Sequence, residues 1–315
     1  MTLIAAYDDV DPLQVLQLNL LCLGFALTPE LVALIRSMDP RPLPCFALYA
    51  LEGAAVVGQV GIVRLPVVST AGAAEVGGVW AVATHPAYRR QGLAVHLLAA
   101  AHERMAAAGL RFSTLGADRD RVGHGLYRKH GYRDLYAPTM VLGRSASLSS
   151  QADVRAEPAG VARLDLADRL FERIAAGALG FARRHTPFFA MLHARRSLDA
   201  QDVWLLWRGD KPIGYAAATA AGSLLQLLGL LLVDASAAPA ATAALARATG
   251  THYFYARLDQ AEHAAALAQT GLSLAPQRRG ALMVKPLTAS ATLAEFRRLY
   301  GLEDGRFLIS CMDVT

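Results

Sequence analysis

Apolar positions recur at helical spacing from Val10 to Ser37, and the run breaks at Thr28-Pro29-Glu30, where Thr28 is placed to cap a second helix beginning at Pro29. From Cys45 the period shortens. Cys45 to Leu51 and Ala54 to Leu65 read as strands joined at Glu52-Gly53, a hairpin signal. Small and polar residues from Ser69 to Ala74 lead to a third strand, Val76 to Thr84, closed by Pro86. Ala94, Leu97, Leu98, Ala101 and Met105 then share one face of a helix that starts at Leu93 and stops at Gly109. A strand over Arg111 to Leu115, a short helix around Gly125 to Lys129 and a strand near Thr139 to Leu142 follow.

The serine-rich stretch Ser145 to Gln151 reads as a linker, and beyond it the pattern repeats. Val203 to Trp207 and Ile213 to Ala220 form a hairpin around Gly209-Asp210, and Leu224 to Val233 is an apolar strand. A helix from Ala237 to Ala248, a strand from His252 to Ala256, a helix from Ala261 to Thr270 and a strand from Ala281 to Val284 complete the second copy. A helix from Leu293 to Tyr300 and an apolar strand from Arg306 onward form an appendix. The expectation is an α/β chain of two domains, residues 1–145 and 146–287, with an appendix of 288–315; the 315 residues exceed the usual size of one core.

Composition excludes several classes. Hydrophobic residues make up 54% and charged residues 18%, so a packed core is affordable and disorder is not expected. The net charge is +5, but no run of basic residues and no aromatic-basic interleaving points to nucleic acid. Scattered basicity suits a small polyanionic ligand equally well. Cys22, Cys45 and Cys311 form no CxxC pair, which argues against a zinc ribbon and a disulfide framework and for a reducing cytoplasm. The histidines His185, His193, His252 and His263 show no metal spacing. The N-terminus lacks a basic n-region, and the longest apolar run, Leu224 to Val233, is too short to span a bilayer as a helix, so no membrane is expected.

The chemistry concentrates at Arg89-Arg90-Gln91-Gly92-Leu93-Ala94, between a strand and a helix. Gly92 lets backbone approach an anion, Ala94 adds little bulk, and the helix start aims N–H groups at whatever lies above it. Two arginines add charge. The corresponding place in the second copy, Asp234-Ala235-Ser236-Ala237-Ala238-Pro239, has neither arginine nor glycine and carries an acid that would repel phosphate.

Arg89-x-x-Gly92-x-Ala94 resembles the Q/R-x-x-G-x-G/A signature of the GNAT superfamily of N-acyltransferases, and Thr84-His85-Pro86 resembles its strand exit. The resemblance implies two tandem GNAT folds, each a mixed, mostly antiparallel sheet flanked by helices, with only the first binding acetyl-CoA. It places the backbone of Val82, Ala83 and Thr84 along the pantetheine arm and Arg89, Arg90, Gln91, Gly92, Leu93, Ala94 and Val95 at the pyrophosphate. His124 to Tyr132 resembles the GNAT segment whose tyrosine lies beside the cofactor sulfur, which would make Tyr127 the proton donor to the leaving thiolate; a phenol is protonated at neutral pH. The bland alternative is a core tyrosine, and Tyr132 is expected to pack.

Together with Gly125-Leu126-Tyr127 and Gly131-Tyr132, the loop is similar to that of the Eis acetyltransferases, which acetylate aminoglycosides and lysine side chains. The departure is at the C-terminus, where too few residues follow Leu287 for the sterol-carrier-like domain of those proteins. Its terminal carboxylate serves them as base, and Thr315 is the candidate substitute here, unless the strand before it simply completes a sheet. Many GNAT enzymes carry a glutamate base where this chain has Gly78, while Glu75 falls on the opposite strand face. His124, one helical turn before Tyr127, is able to relay a proton or to sit on the surface. Asp8, Asp9, Asp11, Glu30 and Asp39 either attract a cationic amine or face water. The expected reaction is direct acetyl transfer to the amine of a small molecule or peptide, without metal or covalent acyl-enzyme. The second domain covers the acceptor cleft or supports a homo-oligomer. A non-catalytic acetyl-CoA sensor and a mycothiol-synthase-like enzyme are the alternatives.

Overall fold

Two β-sheets, each with helices on both faces, organise the chain in the computed structural model, which describes residues 3–148, 153–185, 187–270, 280–310 and 312–313. The first stretch runs β1 (Leu3–Ala6), α1 (Pro12–Leu23), α2 (Pro29–Met38), β2 (Pro42–Glu52), β3 (Ala55–Ser69), β4 (Gly72–Thr84), α3 (Leu93–Ala107), β5 (Phe112–Asp118), α4 (Val122–Lys129), β6 (Arg133–Tyr136) and β7 (Thr139–Arg144). The second runs β8 (Val154–Pro158), α5 (Leu164–Ala175), β9 (Leu179–Gly180), α6 (Phe188–Ala194), β10 (Val203–Arg208), β11 (Lys211–Ala221), β12 (Leu224–Leu232), α7 (Ala238–Thr249), β13 (Tyr253–Leu258), α8 (Ala261–Ala268), β14 (Gly280–Pro286), α9 (Leu293–Leu299) and β15 (Phe307–Leu308).

The local signals act as their chemistry requires. Asp11 caps α1 by accepting from Leu13 N–H, and the Thr28 hydroxyl accepts from Leu31 N–H at the start of α2, with Pro29 in its first turn. Gly53, at φ 59°, turns the hairpin between β2 and β3. Against one face of the first sheet α3 packs Leu97, Leu98, Ala101 and Met105 onto Leu48, Val60 and Val79. On the other face α1 and α2 cover Phe46, Tyr49 and Trp80, and farther along α9 sets Phe296 and Tyr300 on Phe112.

The strand order corrects one expectation. The first sheet reads β1-β2-β3-β4-β5-β14-β6 and the second β7-β13-β12-β11-β10-β8, so the strand at Ala281 to Val284 does not close the second sheet. It inserts between β5 and β6, pairing Val284 with Thr114 and Arg133, while β7, expected to finish the first sheet, pairs with β13. The reason is burial on both sides. Ala281 and Met283 enter the core under α3, and Leu282 and Val284 enter the core under α9. Each such side chain contributes about 1.5–3 kcal/mol relative to exposure.

The appendix also differs from its expectation. Among the described residues of the appendix only Phe307 and Leu308 are strand, running parallel to β9, and Asp313 N–H then donates back to the Ser310 carbonyl. The turn forms because Asp313 is drawn inward: its carboxylate lies 2.6 Å from Arg184 Nε, and it also accepts from Ser310 N–H. Arg184 lies against the Phe171 ring, its guanidinium carbon 3.8 Å from the centroid, and donates to Tyr215 Oη. Thr315 and Cys311 lie outside the described residues.

With β14 absent, β5 and β6 lose their shared partner. A fragment ending at Arg144 should therefore show no cooperative thermal transition by circular dichroism, whereas the full chain should melt cooperatively; cooperative melting of the fragment would show that the exchanged strand is dispensable.

Candidate active site

The site begins where two parallel strands part. β4 and β5 pair only at Gly77 with Ser113 and Gly78 with Thr114. Both glycines are tightly covered: a Cβ on Gly77 would stand 2.5 Å from the Met105 sulfur, and one on Gly78 would stand 2.6 Å from a Val63 methyl. A side chain at the position that the resemblance reserves for a glutamate base would thus require Val63 and Leu65 to shift. Past it, from Trp80 to Thr84, β4 keeps ladder pairing only with β3.

That free stretch carries a bulge. The register slips between Gln59 and Gly61, and Ala81 adopts φ 50°, a left-handed value that costs a non-glycine residue on the order of 1 kcal/mol or more. A buried amide pair holds it. Gln59 Nε2 donates to the Ala81 carbonyl at 3.1 Å, while Gln59 and Asn19 exchange hydrogen bonds of 2.9 Å and Asn19 also donates to Val15 O. Because the peptide is planar and trans, fixing the Ala81 carbonyl toward α1 directs the Val82 N–H away from it.

On one side of this strand lies the start of α3. Gly92, at φ 80°, precedes the helix and provides no side-chain cap. Among the described residues nothing accepts from the N–H groups of Gln91, Gly92, Leu93 or Ala94, whereas Val95 and His96 N–H close onto the Gly92 carbonyl. A Cβ on Gly92 would meet nothing nearer than a His96 ring carbon at 3.9 Å, so the space above the loop is open. Arg89, Arg90, Gln91 and Gly92 are exposed, and neither arginine has an ion-pair partner among the described residues. Unpaired amides, a helix N-terminus and two free guanidiniums fit a pyrophosphate. Leu93 is buried beneath them, and Val82, Thr84, Ala94 and Val95 are half-buried beside buried Ala83.

Tyr127 stands on α4, its ring edge-on to Tyr132 with centroids 5.9 Å apart. Burial pushes its phenol above the ordinary value, which keeps the proton on at neutral pH. Tyr132 packs as expected and is fully buried, its hydroxyl 2.6 Å from Ser113 Oγ and 2.9 Å from His102 Nε2. His102 Nδ1 faces Lys285 Nζ at 3.0 Å, so the ammonium donates to a neutral ring and ties β14 to α3. The structure gives His124 a different task from a free relay: its Nε2 lies 2.8 Å from Asp134 Oδ1, and Arg119 holds the other oxygen at 2.7 Å, tethering α4 to β6.

On the other side of the bulge lies a cleft of about 420 Å³. Leu23, Phe25, Trp80, Ala81, Leu192 and Met312 line it, with Asp39, Arg41 and Arg195 at its polar end. Asp39 is neither a free amine-binding acid nor a solvated one, because it is 4% exposed and its oxygens accept from Arg41 Nε and Nη2 at 2.8 Å and from Arg195 Nη1. Burial raises the Asp39 pKa, but these hydrogen bonds and charges outweigh it and hold the carboxyl below its usual value. Glu75 is partly exposed and paired with Arg64 at 3.3 Å. Burial pushes both the Cys22 and the Cys45 thiols up, which makes each a poor nucleophile.

The loop and Tyr127 are the residues that the sequence pattern singles out, whereas Asn19, Gln59, Trp80 and Arg195 carry no local signal and come to notice only in the fold. Among the described residues no cluster of three or more His, Cys, Asp or Glu is arranged to hold a metal, and no helix is long and apolar enough to cross a membrane.

Residues 14–134 match the family model described as Acetyltransferase (GNAT) domain, a family whose members move acyl groups from acetyl-CoA. No curated protein matches the sequence. A GCN5-related N-acetyltransferase from Anabaena variabilis is 17% identical with a TM-score of 0.63, over 91% of this chain and 73% of that one. One from Kribbella flavida is 17% identical with a TM-score of 0.61, over 91% and 72%. Eis1 from Mycobacterium abscessus is 13% identical with a TM-score of 0.57, over 93% and 75%. At these identities the likeness is one of fold.

Burial also gives the fold an acid sensitivity. The His102 pKa is lowered to about 3 by desolvation, with Lys285 and His130 adding to it, and that of His263, whose ring nitrogens have no partner among the described residues, to about 4 by desolvation. Both stay neutral in the folded chain while the unfolded chain takes up protons below about pH 6.5, so stability falls as pH drops from there toward those values. Each contributes a slope of about 1.4 kcal/mol per pH unit. Replacing His263→Leu should make denaturant stability between pH 6 and pH 4.5 less pH-dependent; an unchanged slope would show that His263 protonates freely.

Proposed function

We propose that this chain transfers an acetyl group from acetyl-CoA to a primary amine in one ternary complex. The observation that carries the reading is the arrangement around the β4 bulge, with an uncapped, arginine-flanked helix start on one side and an apolar cleft on the other. The first sheet with its helices, closed by β14, is the catalytic GNAT unit. The second sheet, built from β7, β8 and β10 to β13, belongs to a GNAT-like unit without a phosphate loop, and α6 roofs the acceptor side through Leu192 and the following Arg195.

Acetyl-CoA supplies the activated thioester. Arg89, Arg90 and the N–H groups from Gln91 to Ala94 would hold its pyrophosphate, and the backbone of Val82 to Thr84 its pantetheine amides. Tyr127 keeps its proton until a thiolate needs it. As the acceptor nitrogen bonds to the acetyl carbon, the carbon–sulfur bond breaks, the sulfur takes the Tyr127 proton, the nitrogen loses its extra proton to water, and the Tyr127 phenolate takes a proton back from solvent. No free carboxylate lines the cleft among the described residues, and on this reading the amine arrives neutral.

The same lack of a base favours the second reading, a non-catalytic acetyl-CoA sensor. Release of free CoA thiol across a panel of amines at alkaline pH separates the two, since a sensor binds acetyl-CoA and releases none. As an enzyme, the chain should show log kcat/KM rising with unit slope up to the acceptor's own pKa; a plateau at neutral pH would reveal a protein base. Tyr127→Phe should lower kcat by roughly 10²-fold with acetyl-CoA affinity retained, and unchanged turnover would remove Tyr127 from the chemistry. Arg89→Ala with Arg90→Ala should weaken CoA binding in calorimetry, and equal loss for a pantetheine lacking phosphates would contradict the cradle.

A further inference from the structure

We infer that the acceptor is an amino acid with an apolar side chain, its carboxylate bound by Arg41 and Arg195; this rests on the acyl-transfer reading above. The polar end of the cleft holds two guanidiniums and one carboxylate, a formal excess of one positive charge. Both Asp39 oxygens are occupied, so Asp39 has nothing left to offer a cationic amine. The arginines have donors to spare. Arg195 Nε is buried without a hydrogen-bond partner among the described residues, and Arg41 Nη1 makes no hydrogen bond to them. A buried, unsatisfied donor of a charged group costs on the order of 1–3 kcal/mol, and a carboxylate is the partner that planar guanidinium donors fit best.

The surroundings point the same way. Asp39 also borders a neighbouring hollow of about 670 Å³, where exposed Arg183 has no ion-pair partner among the described residues. Among the described residues Asp313 is committed to Arg184 and the Ser310 N–H, and Asp8 is paired with Arg36. The potential over the cleft mouth is therefore positive, which attracts anions and repels polycations. Phe25, Trp80 and Leu192 supply the apolar wall that the side chain of the acceptor would meet.

The test uses the full chain with acetyl-CoA and three acceptors, free phenylalanine, phenethylamine and spermidine, compared at equal concentrations of neutral amine. Thiol release should give phenylalanine a kcat/KM roughly tenfold or more above phenethylamine, the worth of one charge-assisted contact, with spermidine lowest. Arg195→Gln should bring the phenylalanine to phenethylamine ratio toward one while acetyl-CoA affinity is retained. Equal or better use of phenethylamine or spermidine by the unmodified chain overturns the inference and leaves acyl transfer standing. Calorimetry on the CoA-loaded chain covers the remaining case: tighter binding of phenylalanine than of phenethylamine without turnover of either supports the anion site and removes the acyl-transfer reading. Equal binding without turnover removes both.

Discussion

The structure hangs on the parting of β4 from β5 after Gly78. Parallel strands that stay paired leave no room for a ligand, and strands that never meet leave no common core. The two glycines allow contact for two residues only, because α3 presses Met105 onto Gly77 from one face while Val63 and Leu65 close on Gly78 from the other. Beyond that clamp β4 is half-paired, and its backbone becomes available to an extended ligand in the manner of an added strand. The bulge at Ala81 follows from the same freedom. Without the Asn19 and Gln59 amides it would have no reason to keep a left-handed residue in one conformation.

Around that gap the two halves are locked into one unit. β14 crosses into the first sheet, β7 crosses into the second, and buried ion pairs seal the seam where Arg195 meets Asp39 and Arg184 meets Asp313. Buried pairs of this kind add little net stability, since desolvation offsets most of the attraction, but breaking one leaves a stranded charge costing about 3–5 kcal/mol. They therefore specify position more than they stabilise. The consequence is that α6 is held where it completes a cleft that the first half begins.

Local signals carried much of this in the sequence. Thr28-Pro29, the Gly53 turn and the strand-loop-helix around Gly92 each rest on chemistry confined to a few neighbouring residues, and they stand where the pattern places them. The partner of β14 does not belong to that class, because a strand buried on both faces looks the same whichever sheet it enters. Nor does Asp39, which as a loop acid after a helix reads as solvated until Arg195, from distant chain, comes to rest on it. Trp80 and Gln59 escaped for a related reason: an aromatic or an amide on a strand acquires meaning only once the bulge between them is known. β8, β9, α5 and α6 drew no pattern at all, although α6 is the element that reaches the cleft.

The lack of a free carboxylate among the described residues of the cleft and the surplus arginine are two views of one electrostatic choice. A glutamate at Gly78 would crowd Val63 and Leu65, so the packing beside the groove also disfavours the usual carboxylate there. A site that cannot remove the amine's proton with an anion can still discourage that proton with a cation, and a guanidinium does so without titrating itself. Such a site then needs an acceptor that tolerates positive surroundings. A ligand bearing its own anion meets that need, since the anion neutralises the arginines that a bare ammonium would face. On this argument the geometry of the glycine clamp reaches through the missing base to the charge of the substrate.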